Sequence, residues 1–255
     1  MGLSDYSYRT FFIRKKNGKQ RRICAPSKDL LAFQRKQLPT LVDLFMKKER
    51  SLFNYEVFHG FIPNRNTVTC ALLHKDKAHT ITLDISNCFD SITSKMLNEA
   101  FDKKFFNSTD NSLAQGFATS PILSAIYLCE PLKELQTLVG HIDPTAVVTC
   151  YADDVQISLS EQSFDTLNRL IVYATFVFKK FELTINKAKT RIRHTKYGNR
   201  KILGIQVGDS LNPNRKLKKK IRAARFQGNG PSLGGLVNAS RMHLPRILRK
   251  KLRRV

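Results

Sequence analysis

Two β-rich runs joined by three residues constrain the fold of this chain more than any other feature. The runs are 147–151 (VVTCY) and 155–159 (VQISL), and Ala152, Asp153 and Asp154 stand between them. Short β-rich runs around a tight connection predict a β-hairpin. Adjacent carboxylates at its tip repel each other, so two interpretations are open: a turn built from residues that tolerate left-handed backbone, or a site for a divalent cation.

A third acid ends another predicted strand. In the run 79–86 (HTITLDIS) apolar side chains occupy alternate positions, and Thr80, Thr82 and Asp84 fill the positions between them. This period of two predicts a strand with one apolar and one polar face. Three carboxylates beside a pair of strands could hold two divalent cations, which can clamp the attacking and leaving oxygens of a phosphoryl transfer.

The remaining patterns predict an α+β fold, in which helices back a mostly antiparallel sheet. Further strands are predicted at 9–14, 20–24 and 201–207, and helices at 29–48, 94–105, 120–138 and 163–181. An Asn-Gly pair between the first two strands is a strong hairpin signal. Pro39 is expected to kink or divide the first helix.

The chain is strongly basic. It has 255 residues with 44 Lys+Arg and 20 Asp+Glu, a formal net charge of +24, and the segment 215–255 contains no acid. Such an imbalance predicts a polyanionic partner, with nucleic acid considered before an anionic membrane. No apolar run reaches the roughly 18 residues of a membrane-spanning helix.

Cysteine and histidine usage points to the cytoplasm. The five cysteines are widely spaced without a C-x-x-C pair, and the six histidines are scattered without an H-x-x-x-H pair. We therefore expect buried reduced thiols, no disulfide framework and no zinc or histidine-based metal site. The N-terminus lacks an apolar signal core, which argues against secretion.

Six blocks in a fixed order resemble reverse transcriptases. Residues 151–154 (YADD) resemble the YxDD signature, in the form common among bacterial and group II intron enzymes. The other blocks are 8–38 (a basic hairpin and a helix), 84–92 (DISNCFDSI), 115–123 (QGFATSPIL), 183–190 (LTINKAKT) and 201–207 (KILGIQV). Two smaller blocks, 59–61 (HGF) and 71–74 (ALLH), have counterparts in retron-type enzymes. By these motifs the chain resembles a bacterial reverse transcriptase of the retron, group II intron-like or defence-associated type.

The resemblance implies a right-hand polymerase with fingers, an antiparallel-sheet palm and a short helical thumb. The fingers would comprise 1–78 with part of 95–115, the palm 79–208, and the basic thumb 209–255. The implied reaction is RNA-directed DNA synthesis from dNTPs on a DNA or RNA primer, with two Mg²⁺ ions and Mn²⁺ as an alternative. The implied partners include an RNA template, which could be a cognate non-coding RNA. No membrane partner is expected, because the basic segment 215–227 lacks a broad apolar face. An accessory protein or a homo-oligomer remains an open alternative.

The resemblance also assigns the reaction centre. Asp84 and Asp153 match the metal-holding acids, Asp154 completes the acidic set, and the Ile85 carbonyl would be an extra ligand. Lys189 matches the lysine that protonates pyrophosphate, with a solvated lysine as its alternative.

Two groups of residues would bind the incoming nucleotide. Lys15 and Arg22 match the fingers residues that hold the triphosphate, with Lys16 and Arg21 as rivals one position away. Phe89 matches the steric gate under the sugar, with a core aromatic as its alternative, and Gln115 with Gly116 would lie beside the nascent base pair.

Nucleic acid would contact the hairpin and the thumb. Tyr151 has two open roles, contact with the primer end or packing. Phosphate contacts position a duplex without reading its sequence. The thumb residues expected to make them are Lys216, Lys218, Lys219, Lys220, Arg222 and Arg225.

Other functions share these motifs. A template-independent or protein-primed DNA polymerase would use the same three aspartates. A non-catalytic RNA-binding palm scaffold is a further alternative, and the intact Asp84, Asp153 and Asp154 argue against it.

Overall fold

A computed structural model describes residues 7–14, 18–97, 101–106, 111–198, 200–208, 210–213 and 215–228. The strands are β1 (Tyr8–Arg14), β2 (Gln20–Pro26), β3 (His79–Asp84), β4 (Val147–Tyr151), β5 (Asp154–Leu159), β6 (Arg191–His194), β7 (Arg200–Ile202), β8 (Ile205–Val207) and β9 (Leu211–Pro213). The helices are α1 (Lys28–Leu52), α2 (Thr67–Leu73), α3 (Cys88–Ser91), α4 (Ser120–Ile142), α5 (Phe164–Lys180) and α6 (Arg215–Phe226). This mixture of helices and antiparallel sheets agrees with the predicted α+β class.

The chain forms two compact units. The first contains Met1–Glu56, Ile85–Leu135 and Thr175–Ile185, and the second contains Val57–Asp84, Gln136–Ala174 and Asn186–Val255. In the described part of the chain, none of the helices is both long and apolar enough to cross a membrane. All five cysteines are free and buried, as the sequence predicted.

The first unit is built around the β1–β2 hairpin and helix α1. The two strands pair antiparallel from Tyr8 opposite Pro26 to Arg14 opposite Gln20. The Ser27 side chain caps α1, which continues through Pro39 to Leu52, so the proline does not divide the helix. Small and aromatic side chains from this hairpin, α1 and the segment 114–117 form a buried cluster: Cys24, Leu30, Ala114 and Phe117.

The second unit contains a four-stranded antiparallel sheet in the order β4-β5-β3-β6. Strand β3 alternates as predicted, but both of its faces are covered: Thr80 and Asp84 are as buried as Ile81. A polar residue inside such a strand needs a hydrogen-bonding partner. Thr80 has one in Ser158 on β5, at an Oγ1–Oγ distance of 2.9 Å.

A buried polar network lies around Arg200 in the same unit. The guanidinium is 1% exposed and donates to the His74 carbonyl at 2.8 Å and to Thr80 Oγ1 at 3.0 Å. The two ring nitrogens of His74 hydrogen-bond Thr149 Oγ1 and Ser158 Oγ. Burial, followed by the charge of Arg200, lowers the pKa of His74 to about 3. The ring is therefore neutral, with one donor and one acceptor nitrogen, and the network ties β3, β4 and β5 to α2.

Replacing Arg200 with alanine should destabilise the protein strongly. The variant removes the Arg200 donor from the buried His74 carbonyl and from the Thr80 and Ser158 hydroxyls, although these two hydroxyls still bond each other. A buried group that loses its partner costs about 1–3 kcal/mol. We expect Arg200→Ala to lower the free energy of unfolding by about 3 kcal/mol in urea titrations. The adjacent exposed Lys201 provides the control, and a loss no larger than that of Lys201→Ala would contradict the role given to the network.

The predicted helix from Ser94 to about Phe105 is wrong for the residues described there. Residues 94–97 form a turn, and the next regular element is a short 3₁₀ turn at Lys103–Phe105. The backbone of Ser94 instead donates to the carbonyl of Asn111, and Phe105 stacks on Phe33 with ring centroids 5.9 Å apart. Leu97 and Phe105 are therefore buried although they lie in turns. Apolar spacing alone does not distinguish such turns from a helix.

The last predicted strand, 201–207, is instead a hairpin. Strands β7 and β8 pair antiparallel, with Ile202 opposite Ile205, and Leu203 and Gly204 form the two-residue turn. Both turn residues have positive φ, which suits the right-handed twist of a tight hairpin. A third strand, β9, extends this sheet, whose buried side packs against α2.

Candidate active site

The sheet register brings two of the predicted acids together. Asp84 is the last residue of β3, Asp154 is the first residue of β5, and the two are direct partners in the antiparallel ladder. Direct partners project their side chains from the same face, with Cβ atoms about 4.5–5.5 Å apart. Asp84 is 6% exposed and Asp154 is half-buried. Like charges opposite each other on a buried face destabilise a sheet, so this pairing points to a functional demand.

The tight turn between β4 and β5 carries the third acid. Tyr151 pairs with Asp154, so the connection consists of Ala152 and Asp153. Ala152 has φ +58°, a left-handed conformation that costs a non-glycine residue about 1–2 kcal/mol. A strained residue beside three carboxylates is typical of a functional turn.

Lys189 contacts the acidic cluster directly. Its Nζ lies 2.7 Å from Asp84 Oδ1. A turn fixes this geometry, because Asn186 N–H donates to the Asp84 carbonyl at 2.8 Å and Lys189 N–H donates to the Asn186 carbonyl at 3.0 Å. The hydrogen bond to Asp84 raises the pKa of Lys189, so its ammonium stays charged near neutral pH.

One lysine does not neutralise the cluster. Burial, then the charges of Asp153 and Asp84, raises the pKa of Asp154 to about 6, although Lys189 acts in the opposite direction. Because Asp153 and Asp84 each affect Asp154 more than Lys189 does, their negative potential at this site is not cancelled. Hard carboxylate oxygens in such a potential fit a divalent cation, which Asp84, Asp153 and Asp154 would hold.

A different cluster lies at the opposite end of β3. Among the residues that the structure describes, one group of potential ligands has all its ligand atoms within 4.8 Å of one another: His79, Glu161 and His194. Sequence reasoning did not anticipate it. Both Nε2 atoms contact the Glu161 carboxylate, at 3.1 Å from His79 and 2.9 Å from His194. His194 Nδ1 accepts the Lys196 N–H at 2.8 Å, so the neutral ring carries its proton on Nε2 and donates it to Glu161. The geometry thus fits a hydrogen-bonded cluster better than a metal site.

In the first unit, two predicted nucleotide-binding segments lie side by side. Cys24 N–H donates to the Gln115 carbonyl at 2.8 Å. Gly116 has φ +112°, and a Cβ placed on it would lie 2.5 Å from the Cys24 carbonyl oxygen. Gly116 therefore lies close against the backbone of strand β2 at Cys24, which is two residues beyond the half-buried Arg22. The Gln115 side chain donates to Asp90 Oδ2 at 3.2 Å.

The remaining predicted residues are distributed as follows. Phe89 lies on α3 with its side chain partly exposed, as contact with a nucleotide requires. Ile85 is buried and bridges Ile185 within the first unit. Lys15 and its rival Lys16 lie outside the described residues.

Helix α6 presents its basic residues to solvent. Ile221 and Ala224 are its buried side chains. The six predicted phosphate-binding residues are all exposed: Lys216, Lys218, Lys219, Lys220, Arg222 and Arg225. The part of the predicted thumb beyond residue 228 lies outside the described residues.

Sequence reasoning assigned no role to the loop that contacts the acidic turn. A Cβ placed on Gly60 would lie 2.6 Å from the backbone nitrogen of Ala152. The signal for this contact was the HGF block at 59–61, which the sequence alone did not connect to the hairpin.

Comparison with known proteins identifies relatives that match most of the chain. Retron Mx65 reverse transcriptase of Myxococcus xanthus is 25% identical over 270 residues, covering 94% of this chain and 60% of the relative. Retron Se72 reverse transcriptase of Salmonella heidelberg is 24% identical over 210 residues, covering 77% of this chain and 53% of the relative. The chain thus spans little more than half the length of these curated relatives.

Solved structures with a similar fold include telomerases. Telomerase of Candida tropicalis, truncated of its C-terminal domain, gives a TM-score of 0.53 at 15% identity, covering 81% of this chain and 55% of that chain. Telomerase of Candida albicans, in complex with a fragment of telomeric RNA, gives a TM-score of 0.55 at 14% identity, covering 90% of this chain and 54% of that chain. At this identity the likeness shows the fold alone, an α+β right-hand polymerase fold.

The family match covers most of the chain. The model of the family described as "Reverse transcriptase (RNA-dependent DNA polymerase)" matches residues 13–207. This range includes the acidic turn, the strand that ends in Asp84, and Lys189. The protein belongs to the reverse transcriptase (RNA-dependent DNA polymerase) family.

Proposed function

We propose that the protein is an RNA-directed DNA polymerase that copies an RNA template into DNA in a retron-like or anti-phage defence system. The observation that carries the proposal is the pairing of Asp84 with Asp154 beside a strained YADD turn, with Lys189 bonded to Asp84. Family membership and the retron relatives support the same activity. The substrates would be dNTPs and the 3′ end of a DNA or RNA primer.

The acidic cluster would hold the metal. Asp84, Asp153 and Asp154, with the Ile85 carbonyl as an extra ligand, would bind two Mg²⁺ ions or Mn²⁺. The bound ions would supply activation of the 3′-hydroxyl and neutralisation of charge on the reacting phosphate. Lys189 would act on the leaving group. Its ammonium is anchored at the cluster by Asp84 and can donate a proton to pyrophosphate.

Other residues would bind and orient the substrates. Arg22 and Lys15 would hold the triphosphate, while Gln115 and Gly116 would border the nascent base pair. Tyr151, next to the acidic turn, would contact the primer end.

The fingers, palm and thumb are proposed at 1–78 with part of 95–115, 79–208, and 209–255. The exposed basic face of α6 supports contact between the thumb and a duplex backbone.

Cellular setting and partners are also proposals. The five free, buried cysteines support a cytoplasmic location, where thiols stay reduced. The RNA template could be a cognate non-coding RNA, and an accessory protein or a second copy of the chain could complete the duplex-binding surface. No membrane partner is proposed.

Replacing Phe89 with alanine should relax sugar selection. Removing the ring would open space for a ribose 2′-hydroxyl, and relief of such a clash can be worth about 1–3 kcal/mol. We expect the ratio of kcat/KM for rNTP to that for dNTP to rise at least about tenfold in primer extension. Phe176, an exposed aromatic of the same unit, provides a matched control: Phe176→Ala should leave the ratio unchanged. An unchanged ratio of rNTP to dNTP kcat/KM in Phe89→Ala would contradict the assignment of Phe89 as the steric gate.

An incorporation assay tests the proposed function. Purified protein is incubated with Mg²⁺ and each labelled dNTP or rNTP, with and without an RNA template and primer. Incorporation of dNTPs that needs the RNA supports the proposal. Incorporation without RNA would instead identify a template-independent or protein-primed polymerase. RNA binding without incorporation of any nucleotide, with Mg²⁺ or Mn²⁺, would instead identify a non-catalytic RNA-binding scaffold.

A further inference from the structure

We propose that Phe61 is a primer-positioning residue whose ring, together with that of Tyr151, packs against the nucleotide at the primer 3′ end. The inference rests on the proposed polymerase function and adds to it a contact that the family motifs did not assign. It is carried by the loop 57–61, which the second unit holds against the acidic turn.

The loop is fastened to the strand that leads into the turn. His59 N–H donates to the Cys150 carbonyl, and Cys150 N–H donates to the Val57 carbonyl, both at 2.8 Å. Phe58 thereby forms a parallel bridge with Cys150. The Arg65 guanidinium donates to the Phe58 carbonyl. These bonds fix the loop on β4 and leave little freedom for the residues that follow.

Gly60 brings the loop into backbone contact with the turn. A Cβ at this position would lie 2.6 Å from Ala152 N and 3.1 Å from the Tyr151 carbonyl carbon. Neither backbone atom can move away cheaply, so any larger residue would displace the YADD turn. The next residue, Phe61, therefore follows directly on the backbone contact with the turn that carries Asp153.

Phe61 has two properties that folding alone does not favour. Its backbone has φ +60°, the left-handed conformation that bulky residues rarely adopt, and its side chain is 63% exposed. Glycine or asparagine would suit the backbone better, and a polar residue would suit the exposure. Retaining an aromatic ring at such a position indicates that the ring binds something.

The surroundings indicate what the ring binds. The Phe61 ring lies 6.5 Å from the Tyr151 ring, centroid to centroid, at an angle of 40°. The two rings are partly exposed and belong to a strongly basic protein, which attracts nucleic acid. Together they form a surface on which a flat, apolar group such as a nucleobase can stack. Because Tyr151 is paired with Asp154, the nucleotide nearest to both rings is the one whose 3′-hydroxyl must reach these carboxylates.

Two substitutions separate stacking from a structural role. Phe61→Gly removes the ring and relieves the backbone, so its unfolding midpoint should equal or exceed that of the wild type. Phe61→Tyr keeps a ring. The matched control is Phe164→Ala, which removes an aromatic that is 69% exposed in the same unit but lies on α5.

Primer extension and a fluorescent base provide the readouts. We expect Phe61→Gly to raise KM for primer–template about tenfold, the effect of one lost base–aromatic stack, with kcat changed less than about twofold. Phe61→Tyr and Phe164→Ala should behave as the wild type. With 2-aminopurine at the primer 3′ terminus, the wild type and Phe61→Tyr should quench its fluorescence on binding, and Phe61→Gly should quench it much less.

The outcomes distinguish this inference from the proposed function. Wild-type KM and quenching in Phe61→Gly would overturn the stacking role while leaving the polymerase intact. A loss of quenching confined to 2-aminopurine in the template strand would overturn the assignment to the primer. A fall in unfolding midpoint with a reduced kcat and an unchanged KM would make Phe61 structural. If the wild type extends no primer, both the proposed polymerase function and the proposed primer contact are wrong.

Discussion

Asp153→Asn should reduce DNA synthesis about a thousandfold while RNA binding stays unchanged. The amide matches the carboxylate in size, but it carries no charge and is a poorer ligand for a hard cation. We expect kcat for primer extension to fall about a thousandfold, the effect of roughly 4 kcal/mol on the activation barrier. The dissociation constant for RNA, measured by filter binding, should stay within about twofold because phosphate contacts come from basic residues elsewhere.

A surface acid supplies the control for this loss. Asp165 lies on α5, is 70% exposed, and pairs with Arg169 one turn later. Asp165→Asn should retain wild-type synthesis and RNA binding. If Asp153→Asn keeps more than a tenth of the wild-type kcat, the acidic turn is not the reaction centre.

Asp154→Asn should stabilise the metal-free protein although it impairs catalysis. The pKa of Asp154 in the folded protein is about 6, above its ordinary value of 3.8, because burial and then Asp153 and Asp84 disfavour its charge. Ionised Asp154 therefore costs stability above pH 6, and this cost disappears as the pH falls from 6 toward 4. The full shift would correspond to about 3 kcal/mol at 1.36 kcal/mol per pKa unit, and solvent screening at this half-buried carboxylate reduces the expected effect to roughly 1–2 kcal/mol.

Urea unfolding with a chelator present measures this effect. At pH 7.5 the free energy of unfolding of the variant should exceed that of the wild type by roughly 1–2 kcal/mol, and the difference should shrink toward zero at pH 4. Added Mg²⁺ should stabilise the wild type more than the variant, because a cation bound by the folded state shifts unfolding by mass action. Asp165→Asn should match the wild type. An Asp154→Asn variant less stable than the wild type at pH 7.5 would contradict the electrostatic account.

The local elements of the site are predictable from the sequence because they depend on short-range patterns. The β4–β5 hairpin follows from two β-rich runs around a short turn, and β3 follows from strict alternation ending at Asp84. The ordered motifs likewise identify the acids and Lys189 as candidates. Their identification needs residue types and spacing, which the sequence contains in full.

Contacts between elements that are distant in the sequence could not be predicted in this way. That Asp84 faces Asp154 depends on the register between β3 and β5, and a slip of one residue would turn the carboxylates to opposite faces. The burial of Arg200 and its bonds to β3 and α2 could not be expected from a basic residue near the start of a strand. For the segment 94–105, apolar spacing predicted a helix, but among the described residues Ser94 bonds Asn111 and Phe105 stacks on Phe33 instead.

The loop 57–61 illustrates why functional residues are missed. The HGF block has no chemistry of its own that would mark it for catalysis. Its position becomes informative when the bonds between His59, Cys150 and Val57 place Phe61 beside Tyr151. Positive φ at an exposed aromatic is a property of the folded backbone, which residue types alone do not reveal.

Extension of a DNA primer on a heteropolymeric RNA template, with the products read by sequencing, tests the central claim most directly. The protein should synthesise DNA complementary to the template, only when a divalent cation and dNTPs are present, and Asp153→Asn should produce none. Products unrelated to the template, or no extension by the wild type with any divalent cation, would contradict it.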